Sequence, residues 1–81
     1  MEVRMMDFSD NFLSDMDISA AIKAKYFTDP DIEVLNIKVE TADGIVTLTG
    51  DPIKTKDHIR ERAILIAKSI EGVKDARFVP G

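Results

Sequence analysis

Helical spacing of apolar residues dominates the first part of the chain after residue 13. Ser14 has the character of a helix N-cap, and it is followed by apolar residues at positions 18, 21, 22 and 26. Pro30 disfavours helical angles at Asp29, and residues 28–31 have the composition of a turn. The pattern therefore predicts a first helix over residues 15–27.

Two segments of alternating polarity follow this helix. Leu35, Ile37 and Val39 alternate with polar residues, and a second alternation covers 45–49. Residues 41–44 between them have turn composition, with Gly44 free to adopt a positive φ. We expect a hairpin with a four-residue loop, in which the facing pairs are Glu40 with Ile45, Val39 with Val46, and Ile37 with Leu48.

A second amphipathic helix is predicted over residues 56–71, with Thr55 as its N-cap and Gly72 as its stop. Its buried stripe comprises Ile59, Ala63, Ile66, Ala67 and Ile70. Ile64 and Leu65 lie on either side of that stripe, so we expect them to be partly exposed.

The last segment, 73–79, alternates again and predicts a third strand at an edge of the sheet, stopped by Pro80. A right-handed crossover makes this strand parallel to the second one, and the pattern leaves open whether it lies beside strand two or strand one. The predicted fold class is α+β, a single small domain of order α-β-β-α-β. Its two helices pack on one face of a three-stranded mixed sheet.

The chain has 81 residues, which is enough for one small domain. We divide it into an N-terminal leader (1–13), a domain (14–79) and a C-terminal end (80–81). The leader carries apolar residues that we expect to pack against the domain, among them Met5, Met6, Phe8 and Phe12.

The composition of 44% hydrophobic and 32% charged residues is typical of a globular domain, and the absence of cysteine excludes disulfides, thiolate metal sites and thiol nucleophiles. The longest apolar run, 63–67, is far below the roughly 20 residues of a transmembrane helix. The acidic N-terminus does not resemble a secretory signal. We therefore expect either a cytoplasmic protein or one whose signal was removed.

Charge is distributed unevenly. Residues 1–53 carry four bases and eleven acids (−7), whereas residues 54–81 carry seven bases and four acids (+3), which together give the net charge of −4. The basic second part is interpreted either as a patch that approaches phosphate groups or as the ordinary solvated face of a helix.

Catalytic chemistry finds little support in the sequence. His58 is the only histidine, and no motif pairs it with a nucleophile. Asp29, Asp31, Glu33 and Glu40 have the spacing of calcium-loop ligands, but Val34 occupies the position at which that loop needs glycine. The sequence therefore predicts no enzyme, no metal site and no cofactor.

Three segments together resemble the BON domain family, named from bacterial osmotically inducible and nodulation-associated proteins. Residues 11–27 are similar to its opening helix, residues 37–52 to its glycine-bounded hairpin, and Glu71-Gly72-Val73 to the end of its second helix. The resemblance implies an α/β sandwich and attachment to phospholipid membranes or envelope components. It offers no catalytic residues, only structural glycines, here Gly44, Gly50 and Gly72.

The leading hypothesis is thus a non-enzymatic module that binds anionic phospholipid or another envelope protein peripherally, in the periplasm or cell envelope and in a stress-related role. The candidate lipid-binding residues are Lys54, Lys56, Arg60, Ile64, Leu65 and Lys68. The alternative is a protein–protein interaction or oligomerisation module without lipid contact, acting through an edge strand, the polar sheet face or the leader. Nucleic acid is not expected, because no aromatic residue alternates with the bases of the second helix.

Overall fold

A computed structural model describes residues 14–81 of the chain; the leader, and with it the expectation that its apolar residues pack on the domain, lies outside the described residues. Within residues 14–81 the elements are three helices, α1 (Asp15–Phe27), α2 (Pro30–Glu33) and α3 (Asp57–Lys68), and three strands, β1 (Lys38–Ala42), β2 (Ile45–Gly50) and β3 (Asp75–Pro80). The predicted order α-β-β-α-β is confirmed, with the short α2 added to it.

The three strands form one sheet in the order β1-β2-β3. The central strand β2 pairs antiparallel with β1 and parallel with β3. The structure thus confirms a mixed sheet with a crossover through α3, and it places the third strand beside the second. Both β1 and β3 are edge strands of this sheet.

The hairpin register differs from the predicted one. Ala42 lies opposite Ile45, and Val39 lies opposite Leu48, so the predicted pairing of Glu40 with Ile45 is wrong by two residues. The loop has two residues, Asp43 at φ 54° and Gly44 at φ 81°, because an Asp-Gly pair adopts the turn whose twist matches the strands. The shift is even, so the apolar side chains still share one face.

Two further boundaries are corrected around the start of the sheet. The first strand begins at Lys38 rather than Leu35, because Asn36 takes a left-handed conformation at φ 50° and interrupts the extended chain. The predicted turn at 28–31 includes the start of α2. Asp29 caps this helix by accepting a hydrogen bond from Asp31 N, and Pro30 occupies its first turn.

The third helix is shorter than predicted. Its N-cap is Lys56 rather than Thr55, whose side chain is buried beneath the loop, and it ends at Lys68 rather than Glu71. The Ser69 hydroxyl donates to Ile66 O at the helix end, and Gly72 adopts φ 96° in the turn that follows. The last strand consequently runs over 75–80 rather than 73–79.

The core lies between the sheet and the two long helices, as predicted. It comprises Ile18, Ile22 and Tyr26 of α1, Ile32 of α2, Ile59, Ala63 and Ala67 of α3, Val39, Val46, Leu48 and Ala76 of the sheet, and Ile37 and Ile70 of the connections. Two polar contacts join elements across it. Ser19 Oγ lies 2.8 Å from Thr41 Oγ1, and the Tyr26 hydroxyl donates to the carbonyl oxygen of Ala63.

One end of the domain is fastened by Asp15. Its carboxylate accepts hydrogen bonds from Asp43 N at 2.9 Å and Gly44 N at 3.1 Å, and Lys74 N donates to Gly44 O. The start of α1, the hairpin turn and the approach to β3 therefore meet here. We name this the turn end; the opposite end, where α1 and β2 finish and α3 begins, is the loop end.

Candidate functional site

The loop between β2 and α3 presents an isoleucine to solvent. Asp51 Oδ1 accepts hydrogen bonds from Ile53 N at 2.8 Å and Lys54 N at 3.3 Å, and Thr55 N donates to Asp51 O at 2.9 Å. These contacts hold the backbone of the loop in a fixed turn. The Ile53 side chain is nevertheless 84% exposed, and Lys54 and Lys56 beside it are exposed as well.

A groove of about 440 Å³ opens at the same end, between the last turn of α1 and the segment that leads into β1. It is lined by Lys23, Tyr26, Phe27, Ile32, Glu33, Val34, Asn36 and Ile37. Phe27 is 69% exposed and Val34 is 72% exposed, so its apolar rim faces solvent.

The strand pairing places the groove and the loop at one end. β1 begins where β2 finishes, because Lys38 lies opposite Thr49, and Ile37 lies against Gly50. Ile53 follows Gly50 after two residues. We name Phe27, Val34, Ile53, Lys54 and Lys56 together the loop-end surface.

Two other large apolar side chains are strongly exposed in the described residues. Met16 lies in the first turn of α1, at the turn end, and Leu65 lies on the outer side of α3. Three of the five exposed large apolar residues in the described part of the chain therefore lie at the loop end.

The six lipid-binding candidates that the sequence indicated do not lie together in the structure. Lys54 and Lys56 lie on the loop-end surface, whereas Lys68 ends α3, and its Nζ is 3.7 Å from Asp75 Oδ1. At about 1.5 Å per residue, the length of α3 puts Lys56 and Lys68 roughly 18 Å apart.

The remaining three candidates lie along α3. Arg60 forms an ion pair with Asp57, and its guanidinium lies 5.8 Å from the ring centroid of Phe78. Ile64 is half-buried and packs against the core, whereas Leu65 is 66% exposed. The expected partial exposure of these two neighbours is confirmed, but only Leu65 offers an accessible apolar side chain.

The three structural glycines lie at close approaches or turns of the backbone. A Cβ on Gly44 would lie 2.9 Å from Gly72 O, and one on Gly50 would lie 3.0 Å from the Phe78 ring. Gly72 has a positive φ in the turn between α3 and β3. Gly44 and Gly72 therefore serve the backbone geometry of turns, whereas Gly50 leaves room for the Phe78 ring.

Acidic side chains at the loop end are partly engaged by Arg62. Its Nη2 donates to Asp29 Oδ1 at 3.1 Å and to Asp31 Oδ2 at 3.2 Å. Its Nε lies 3.0 Å from Asp29 Oδ2, but the angle does not suit a hydrogen bond. This contact is therefore an ion pair. The two carboxylates with calcium-loop spacing thus face a guanidinium and hold α2 against α3.

Sequence reasoning missed Phe27, Val34 and Ile53. Each carried a usable signal, because each is a large apolar residue outside the helical or alternating pattern of its neighbours. Ile53 in particular lies in a turn, between Pro52 and Lys54, where no core position is available.

Comparison with known proteins defines the family of this fold. The family model for the BON domain matches residues 14–75, and the chain belongs to this family. It is also similar to osmotically-inducible protein Y of Escherichia coli (strain K12), with 35% identity over 66 residues. That alignment covers 82% of this chain and 32% of the relative, so the chain spans about a third of the relative's length. Among the residues that the structure describes, no helix is long and apolar enough to cross a membrane.

Proposed function

We propose that this protein is a non-enzymatic module that associates peripherally with anionic phospholipid at the cell envelope, through the loop-end surface. The observation that carries the proposal is that Phe27, Val34 and Ile53 are exposed large apolar side chains at the same end of the sheet, with exposed Lys54 and Lys56 beside Ile53. Membership of the BON family, and similarity to a protein named as osmotically inducible, support a stress-related role.

The apolar side chains supply most of the attraction. Full burial of a Phe, Val or Ile side chain contributes about 1.5–3 kcal/mol, and insertion into the headgroup region captures part of that. The hydrogen bonds of Asp51 fix the loop before contact, so little conformational entropy is lost when Ile53 inserts.

The basic residues add a smaller, salt-dependent contribution. Each lysine near an anionic surface adds about 1 kcal/mol, screened within a Debye length. The net charge of −4 opposes the approach of the whole domain. We therefore expect weak binding that salt reduces and that loss of an apolar side chain abolishes.

Leu65 and its neighbours on α3 form the competing lipid site. Arg60 and Lys68 have acidic partners there, and the outer side of the helix also carries Glu61. The loop end presents more apolar surface, which favours it over α3.

Vesicle flotation of the full chain tests both sites with matched substitutions. Vesicles of phosphatidylcholine with and without phosphatidylglycerol are compared at low and high salt, using Ile53→Ser, Leu65→Ser and Met16→Ser. We expect the wild type and Met16→Ser to float with anionic vesicles at low salt and Ile53→Ser to lose this.

The outcomes separate the function from its location. Loss of flotation with Leu65→Ser alone would move the site to α3 and keep the function. No flotation of the wild type at low salt would overturn the function itself. An NMR titration with short-chain anionic phospholipid locates the shifted amides and checks the assignment residue by residue.

A further inference from the structure

The sheet has a second, open face. The buried side chains Val39, Val46, Leu48 and Ala76 point towards the helices, and the alternate positions point away from them. Within residues 14–81 both long helices pack on the inner side, so the other side is accessible. We name it the outer face: Lys38, Glu40 and Ala42 of β1, Ile45, Thr47 and Thr49 of β2, and Asp75, Arg77 and Val79 of β3.

The register arranges these nine residues in three rows across the sheet. The middle row is Glu40–Thr47–Arg77, because Thr47 is the partner of Glu40 on one side and of Arg77 on the other. Charges occur only on the two edge strands, two bases and two acids, whereas the central strand presents Ile45 and two threonine methyl groups. An uncharged centre with a charged rim is the composition of a protein interface.

We propose that the outer face binds the outer face of a second copy of this chain, around a two-fold axis that runs parallel to β2 at Thr47. This operation lays β1 of one copy over β3 of the other and β2 over β2. Glu40 then lies opposite Arg77 of the second copy, and the symmetry repeats this pair. Two sheets packed in this way are about 10 Å apart, which Glu and Arg side chains can bridge together.

Charge selects this axis among the in-plane alternatives. A two-fold axis at right angles to the strands would place Glu40 over Glu40 and Arg77 over Arg77, and like charges in contact oppose association. The parallel axis brings the opposite charges together twice. The face as a whole is neutral, although the chain carries −4, so two copies that meet through it bring no net like charge together.

The size of the outer face makes the dimer weak. With strands about 4.8 Å apart and alternate residues about 6.8 Å apart, nine positions cover roughly 300 Å² of sheet per copy. The two copies together contribute roughly 600 Å², well below the roughly 1,600 Å² of a standard specific interface, so we expect a weak dimer that forms only at high concentration.

Charge reversal tests the pairing. Sedimentation of the full chain is measured from roughly 10 µM to 1 mM, a range that covers weak dissociation constants, for the wild type, Glu40→Arg, Arg77→Glu and an equimolar mixture of the two variants. In each variant alone, like charges face each other, and we expect the dimer to weaken about tenfold or more. In the mixture, the new arginine of one variant faces the new glutamate of the other, and the unchanged Arg77 faces the unchanged Glu40. The heterodimer should therefore recover the affinity of the wild type.

Lys25→Glu serves as the matched control, because it reverses an exposed charge on α1, away from the outer face. It should leave the association unchanged, and circular dichroism should show all variants folded. Thr47→Arg places a large charge at the axis and should abolish the dimer.

Three results would overturn the proposal. The first is a wild type that stays monomeric over the whole range, and the second is a mixture that associates no better than either variant. The third is a monomer whose outer-face amides shift on removal of residues 1–13, which would assign the face to that segment instead.

Membrane flotation is measured separately on Glu40→Arg; since the outer face and the loop-end surface share no residue, the failure of one proposal leaves the other standing.

Discussion

The hydroxyl of Tyr26 donates a buried hydrogen bond to the carbonyl oxygen of Ala63 over 2.7 Å, and so joins α1 to α3 across the core. Tyr26 is only 5% exposed, and burial raises the pKa of its hydroxyl well above the ordinary value. We expect Tyr26→Phe to keep the packing and lose the hydrogen bond, which lowers the free energy of unfolding by about 1 kcal/mol. Urea unfolding at neutral pH measures the change.

The same tyrosine predicts a dependence on alkaline pH. Because the folded-state pKa is raised, the unfolded chain loses its tyrosine proton first, near pH 10, and the folded state becomes less stable as the pH rises from there. Below that pH the contribution is fully present. The wild type should lose up to about 1.4 kcal/mol per pH unit through this group, and Tyr26→Phe should lose correspondingly less. Equal slopes for both proteins between pH 9 and roughly 11 would contradict this assignment.

Thr55 is buried with no hydrogen-bond partner for its hydroxyl among the described residues. A buried, unsatisfied hydroxyl costs about 1–3 kcal/mol, and valine has nearly the same shape without that group. We therefore expect Thr55→Val to raise the free energy of unfolding by about 1 kcal/mol. Thr41→Val is the matched control. It should lower the free energy of unfolding, because it removes the hydroxyl contact with Ser19. A destabilised Thr55→Val would show that the hydroxyl has a partner in solution.

Arg62 holds α2 against α3 through Asp29 and Asp31. Methionine retains most of the aliphatic stem and removes the charge, so Arg62→Met should cost about 1 kcal/mol of stability, given that the side chain is partly exposed. The loss should be local, with faster amide exchange in 29–35 than in the sheet. Lys25→Met, an exposed position on α1, should change neither measurement.

Gly44 combines a left-handed backbone with a lack of space. A Cβ there would lie 2.9 Å from Gly72 O and 3.1 Å from Lys74 Cγ, and φ is 81°. We expect Gly44→Ala to lower the free energy of unfolding by about 1–3 kcal/mol. Asp43→Asn in the same turn should have little effect, because asparagine also tolerates the left-handed conformation. Equal stability of both variants would indicate that the turn rearranges.

The two long helices and the three strands followed from the sequence because their periodicities are clear, whereas the four-residue α2 is too short to show one. The bounds of α1 and the faces of β1 and β2 depend on local spacing alone. The hairpin register did not follow, since Thr41 and Ala42 can belong to a loop or a strand and only the Asp43-Gly44 conformation decides between them. The N-cap of α3 was misplaced for a related reason: Thr55 is a good cap by type, but the loop directs it into the core.

The candidate site was less accessible to sequence reasoning. The clustering of bases near the second helix indicated a binding site on α3, yet Lys56 and Lys68 lie at opposite ends of that helix. Phe27 and Ile53 are 26 positions apart in the chain, and they share an end only because β1 begins where β2 finishes. Such a surface depends on strand pairing, which no local pattern encodes.

The hydrogen bonds of Asp15 have a consequence for how such domains connect in series. The described chain enters the domain beside the hairpin turn and leaves it at Gly81, whose N–H donates to Gly50 O at the other end of β2. The two points are separated by the length of that strand, about 17–20 Å for six residues. Copies joined by short linkers would therefore follow one another head to tail, and each linker would begin beside the end of β2.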